Sequence, residues 1–248
     1  IGGDNNSGLM ISGFMNVTGN MASGLHFSGI ANITGQSFGG LMASGLLNVV
    51  GEHMNGLQIA GIANITASKL NGVQVALCNY ATKARGLQIG LVNYYKEDMK
   101  GFQLGLVNAN PDTRVQMMVY GGNATPANIG VRFKNQLFYT ILGVGSMYQG
   151  LNDKFSASAS YRAGLSFPLY KGLSISGDLG YQHIEAFDNK DEVIPKRLYA
   201  LQARANLEYQ FTRKFGIFAT GGYGLTRFYN KSSNHDKGAI IEAGIVLF

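Results

Sequence analysis

The chain is poor in several things at once. It has one cysteine, Cys78, four prolines and no tryptophan in 248 residues. A single cysteine excludes a disulfide framework. Charged residues make up only 14%, against about 25% in an average globular domain. No uninterrupted apolar run reaches the ~18 residues that would mark a membrane-spanning helix. Nor is this a disordered chain, because hydrophobic residues reach 46% and aromatics 11%, more than a solvated polymer carries. The opening Ile1-Gly2-Gly3-Asp4 has neither the basic start nor the apolar core of a secretion signal. It reads as a chain that is not exported, or one trimmed after export. The histidines His26, His53, His183 and His235 lack ligand spacing, so neither a metal nor another cofactor is expected. No phosphate-cradling GxxxxGK[ST] is present. The net charge of +6 is scattered rather than gathered into a basic stripe, so nucleic acid is not an expected partner.

Glycine, in contrast, is abundant at 35 residues, and it is periodic without the every-third spacing of collagen. Gly8-Leu9, Gly24-Leu25, Gly40-Leu41, Gly56-Leu57, Gly72-Val73, Gly86-Leu87 and Gly101-Phe102 open seven units at spacings of 16, 16, 16, 16, 14 and 15 residues. Each unit carries an asparagine at a fixed offset: Asn16, Asn32, Asn48, Asn64, Asn79, Asn93 and Asn108, eight residues after the glycine in the first four and seven in the rest. Leu57 and Ile59 alternate with Gln58 and Ala60, which is strand periodicity. A 16-residue period is too short for a membrane hairpin of two ~9–11-residue strands. It suits one coil of a β-solenoid in which equivalent positions stack. The spacing therefore predicts a solenoid over residues 1–111, a rod roughly 30 Å long at ~4.8 Å per coil. The glycines stand at corners and the asparagines form a turn-capping amide ladder. Asn16-Val-Thr18, Asn32-Ile-Thr34 and Asn64-Ile-Thr66 also match the glycosylation acceptor pattern, but their place in the repeat makes them ladder residues. Cys78, within Val75-Ala-Leu-Cys-Asn79, is expected to pack as a small core residue.

The repeat stops at Ala109-Asn110-Pro111-Asp112, and proline cannot donate to a ladder. Of 27 aromatics, 7 precede residue 112 and 20 follow. Strands lengthen too. Phe155, Ala157, Ala159, Tyr161, Ala163, Leu165, Phe167 and Leu169 share one face, with Ser156, Ser158, Ser160, Arg162, Gly164 and Ser166 opposite. Tyr199 to Phe211 alternate likewise against Gln202 to Gln210. A soluble sandwich has strands of roughly 5–6 residues. Strands this long, with alternating faces and aromatics near their ends, fit a membrane barrel. Eight are expected over 112–248, at about 114–122, 127–135, 136–149, 155–169, 172–186, 198–211, 214–229 and 238–248. The fold class predicted is all-β: a short-coil solenoid followed by an eight-stranded antiparallel transmembrane barrel. Short turns at 135–136, 170–172 and 212–214 alternate with longer polar loops. Outer-membrane barrels keep short turns in the periplasm, which puts the solenoid on the periplasmic side.

The repeats GLQIAGIANIT (56–66), GLQIGLVN (86–93) and GFQLGLVN (101–108) resemble the Gly/Asn surface repeats of a bacterial envelope family of Bacteroidota and spirochaetes. The resemblance covers residues 8–108, most closely 56–108. It implies an envelope location and little chemistry, and its surface label would place the solenoid outside the cell instead. Residues 112–248 look like a generic small outer-membrane barrel.

Chemistry is sparse. On the inward faces of the expected strands stand Arg132, Arg162, Asp178, Arg204, Glu208 and Glu242, three cations and three anions. An eight-stranded barrel is just wide enough to be filled by side chains, and buried charges persist when paired. The six are expected to form an internal ionic network, which leaves a pore lining or proton path as the lesser reading. His183 and Glu185 share an outward face. Lipid A deacylases resemble this in carrying an external histidine, but there a serine follows two residues later, where Glu185 stands here. Without a nucleophile beside a base, acyl transfer has no footing, and the pair reads as a headgroup contact. The function expected is non-enzymatic: an outer-membrane barrel anchoring a solenoid that contacts other envelope proteins, with membrane lipid as the other partner. A small channel or transport component is the alternative, and a lipid-modifying barrel enzyme the remotest reading.

Overall fold

The computed structural model describes residues 3–146, 155–187, 197–229 and 234–247. Strands account for all the regular structure there, and the chain divides into two compact units, Ile1–Asp112 and Thr113–Phe248.

In the first unit each coil begins with an eight-residue strand: β1 (Asn5–Ser12), β3 (Met21–Ser28), β5 (Ser37–Ser44) and β7 (His53–Ala60). Each is followed by a short strand: β2 (Met15–Thr18), β4 (Ala31–Thr34) and β6 (Leu47–Val50). In later coils the two kinds fuse into β8 (Ala63–Val75), β9 (Cys78–Ile89) and β10 (Val92–Leu104), and β11 (Val107–Ala109) closes the unit. All pairing is parallel and in repeat register: Gly8 opposite Gly24, Gly40 opposite Gly56, Asn48 opposite Asn64. This is a solenoid, and its change of spacing has a local cause. Coils of 16 residues carry corner glycines such as Gly45 and Gly51. The fifth coil, from Gly72 to Gly86, lacks one after Ala76 and turns its next corner through Ala81-Thr82-Lys83. Losing one residue at each corner shortens the spacing to 14 and brings asparagine one place nearer its glycine.

The glycine opening each unit lies mid-strand with positive φ, from 100° at Gly8 to 148° at Gly101. Two constraints exclude other residues there. L side chains rarely adopt that conformation, and a Cβ on Gly56 would stand 2.1 Å from the Gly40 carbonyl oxygen of the coil before it. The bend divides each long strand into two flats, so that a coil presents three outward stretches.

The second unit is a closed antiparallel barrel. Its strands are β12 (Arg114–Gly122), β13 (Ala127–Asn135), β14 (Phe138–Ser146), β15 (Ser156–Tyr170), β16 (Leu173–Ala186), β17 (Arg197–Thr212), β18 (Phe215–Phe228) and β19 (Asn234–Leu247). Closure of β12 against β19 removes both sheet edges. The first two strands have the extents expected. The third is shorter than 136–149, because Gln136 takes a left-handed φ of 48° and Gln136-Leu137 form the hairpin turn. Residues 147–149 of that span, and most of the loop at 187–197, lie outside the described residues. Alternation runs through the barrel: Gln202, Arg204, Asn206 and Glu208 of β17 are buried, and Leu201, Ala203, Ala205, Leu207 and Tyr209 are exposed.

Candidate functional site

The barrel interior is built where inward glycines make room for long charged side chains. A Cβ on Gly180 would lie 3.0 Å from Arg204 Nη1, and one on Gly164 would lie 2.6 Å from the Asp178 Cβ. Into that space Arg162 projects from β15 and donates through Nε and Nη2 to the two carboxylate oxygens of Asp178, both at 2.8 Å. Its third nitrogen, Nη1, lies 3.5 Å from Glu242. Arg204 donates twice to Glu242, at 3.1 Å each. Nearer the short-turn end, Arg132 makes a two-pronged contact with Glu208 at 2.6 and 3.0 Å, and its Nε donates to Gln116 at 2.7 Å. All six charged side chains are buried. They fall into two groups, one of Arg132 with Glu208 and one of Arg162, Asp178, Arg204 and Glu242.

Neutral groups complete the network, and charge patterning gave no hint of them. Tyr139 donates its hydroxyl to Asp178 at 2.8 Å, and Asn206 donates to the same oxygen at 2.8 Å. Thr220 donates to Asn206 at 2.6 Å. Towards the loop end Gln182 donates to Ser158 at 2.8 Å and Gln202 donates to Gln182 at 3.1 Å. Beyond them Ile184, Ala186, Leu198 and Ala200 form a buried apolar layer against Ala124 and Phe228. Charged, amide and apolar layers thus fill the described interior in turn. An eight-stranded barrel is just wide enough to be filled by side chains in this way.

The solenoid interior carries two amide ladders. In the first, Asn16, Asn32, Asn48, Asn64, Asn79 and Asn93 each donate through Nδ2 to the Oδ1 of the next asparagine, ending at Asn108, at 2.9–3.0 Å. The same nitrogens cap backbone carbonyls across the coil, as Asn48 does to Ile59 at 2.7 Å. The second ladder runs from Gln103 to Gln88, Gln74 and Gln58 at 2.8 Å per step, with Thr66 also donating to Gln58. Its signal in the sequence was the Gln58, Gln74, Gln88, Gln103 column, but Leu/Gln alternation alone leaves open which partner faces inward. Here the glutamines are buried and the neighbouring Leu57 and Ile59 point out. Cys78 is also exposed, which corrects the expectation of a core thiol. It alternates with buried Asn79 and so takes the outward place.

On the barrel's outer surface His183 Nδ1 lies 2.9 Å from the Tyr229 hydroxyl, and Nε2 lies 3.4 Å from Glu185. Arg197 Nε lies 3.1 Å from the same carboxylate. The rings of Tyr181, Tyr199 and Tyr229 pack around this group, and the Tyr181 and Tyr229 hydroxyls bond to each other. The histidine is therefore engaged by a phenol and a carboxylate that is itself held by a guanidinium. That is an amphipathic ring cluster rather than an activated aliphatic hydroxyl. Among the described residues no group of three or more His, Cys, Asp or Glu side chains could hold a metal ion.

No protein-family model and no curated protein matches the chain. Among solved structures it is similar to the N-terminal β-barrel domain of Pseudomonas aeruginosa OprF, with TM-score 0.40 and 17% identity over 54% of this chain and 95% of that one. Neisserial surface protein A (NspA) is also similar, with TM-score 0.36 and 10% identity over 54% of this chain and 93% of that one.

Proposed function

We propose that the chain is a non-enzymatic outer-membrane protein whose barrel anchors the solenoid as an interaction module, a subunit of an envelope complex. The observation that carries this reading is the inversion of the barrel. The ion pairs of Arg132, Arg162 and Arg204 lie inside, and apart from the His183–Glu185–Arg197 cluster the outward rows carry exposed apolar side chains, as at Leu179 (72%), Ile241 (66%) and Val144 (63%). Water gives no reason to turn that face out, whereas hydrocarbon does. The longer strands, 14 to 16 residues in β15 to β19, extend about 35 Å along the barrel axis at a tilt of roughly 40°, more than the ~25 Å apolar band. Turns at one end are two residues long, as at Lys171-Gly172 and Arg213-Lys214. The first strand starts from that end, which supports a periplasmic solenoid.

Two experiments test the reading. The full chain should resist alkaline extraction from bacterial outer membranes and should copurify with other envelope proteins in mild detergent. Release by alkali would overturn the membrane assignment, and isolation alone would overturn the complex. The channel alternative requires steady current in planar bilayers. The filled interior leads us to expect none.

A further inference from the structure

The solenoid keeps an apolar core of Phe38, Met42, Met54 and Leu70 beside its amide ladders, yet its outer surface is apolar as well. Five outward columns run the length of its coils. One follows the bend glycine (Leu9, Leu25, Leu41, Leu57, Val73, Leu87, Phe102) and one lies two residues on, from Ile11 to Leu104. A third occupies the corner, from Phe14 through Leu46, Ile62 and Leu91 to Leu106, and two more start at Met15 and Val17 on the short strands. Every residue in these columns is apolar or tyrosine. Many are bare: Ile11 and Phe14 are 73% exposed, Phe102 74%, Ile62 51%. All ten charged residues of 1–112 lie elsewhere, at Asp4, Glu52, Lys69, Lys83, Arg85, Lys96, Glu97, Asp98, Lys100 and Asp112. They stand on the flat before the glycine, at the turns leading into it, or at the end of the unit.

The core apolar residues and the amide ladders occupy the interior, so folding does not need these side chains inside, but that does not explain why they are outside. The belt spans about ten residues of contour and seven coils, roughly 30 Å by 30 Å, well above the few hundred Å² that a monomer normally leaves bare. It also turns a corner. A rigid protein partner or a second copy seated on one flat would leave the other in water. A fluid apolar phase covers both flats. Backbone groups point along the rod to the next coil, so the belt offers hydrocarbon side chains with no unpaired amides between them.

We infer that the solenoid lies along the membrane with this belt immersed among lipid acyl chains and its charged flat in water. The module is then an interfacial rod, amphipathic about its own long axis, and any protein partner meets the charged flat. The inference rests on the membrane reading of the barrel, and the test separates the two.

Cys78 is the sole cysteine and stands in the belt, so a bimane label there reports the belt in the otherwise natural full chain. The protein is reconstituted into phosphatidylcholine/phosphatidylglycerol vesicles, and quenching by doxyl-labelled lipid is compared with quenching by aqueous iodide. We expect lipid quenching to dominate at Cys78 and iodide to dominate at N55C on the charged flat, made in a C78A background. L179C in that background reports the barrel wall. If L179C is lipid-quenched while Cys78 is iodide-quenched, the inference fails and the barrel reading stands. If all three labels see only iodide, both fail. Excimer emission from pyrene at Cys78 together with loss of lipid quenching would show a second copy on the belt, and would overturn the inference.

Discussion

Asn48 sits mid-ladder, and its loss is the sharpest perturbation the solenoid offers. Its Nδ2 donates to Asn64 Oδ1 at 2.9 Å and to the Ile59 carbonyl at 2.7 Å, while its Oδ1 accepts from Asn32 at 2.9 Å. These three hydrogen bonds, the shortest of the four Asn48 makes, at about 1 kcal/mol net each, with an Asn64 oxygen left bare at a cost of ~1 kcal/mol or more, put Asn48→Ala at about 3–5 kcal/mol. Asn48→Asp keeps the volume but removes both donors and aims a carboxylate at two oxygens, so it should cost more than alanine at neutral pH. Repeat units are coupled mainly to their neighbours, so the damage should be greatest in the adjoining coils. Hydrogen exchange read by mass spectrometry on the full chain in micelles resolves this. Protection around residues 31–66 should fall by about a hundredfold or more, and the barrel amides should not change. Equal protection in the wild type and Asn48→Asp would refute the reasoning, because the amide donors would then contribute nothing.

Other expectations follow from the barrel and from the solenoid core. Glu208→Gln leaves the Arg132 guanidinium buried without its counter-ion and should cost about 3–5 kcal/mol in urea unfolding from vesicles. Replacing both residues by methionine should recover most of that loss. Leu179, outward and central in β16, should tolerate alanine, whereas Leu179→Arg should lower stability in vesicles by about 2–4 kcal/mol. His26 is buried edge-on to Phe38 with Nε2 unpartnered, and burial lowers its pKa below the usual 6.5. Between that lowered value and 6.5 the unfolded chain binds more protons than the folded one, so solenoid stability should fall as pH drops through this window and level off below it. Methionine occupies the same column at Met10 and Met42, so His26→Met should flatten the urea-midpoint profile between pH 7.5 and 5.

What could be read from the sequence was whatever repeats or carries charge. The glycine register gave the coils because a bend closed against a neighbouring backbone admits no other residue, as Gly56 shows. The alternation in 155–169 and 198–211 gave long two-faced strands because one face of each is continuous in character. Neutral partners were harder to see. Tyr139 and Asn206 join the Asp178 cluster through hydrogen bonds alone, and nothing in their local sequence distinguishes an inward tyrosine from one at a surface. The outward direction of the solenoid leucines was hidden for a related reason. An amide column and a leucine column alternate with the same period, and only the ladder geometry from Gln103 to Gln58 decides which is inside. Cys78 shares that ambiguity, and its strand position alone does not tell a core thiol from the exposed one found.

The solvent of the barrel's outward rows can be tested most directly by removing detergent from the purified full chain and following it by sedimentation velocity, with and without lipid vesicles. Rows as apolar as Leu179, Ile241 and Val144 should drive the protein into vesicles when they are present and into heterogeneous aggregates when they are not. A single sharp boundary at monomer mass in plain buffer would mean that water suits those rows, and that the barrel does not belong in a membrane.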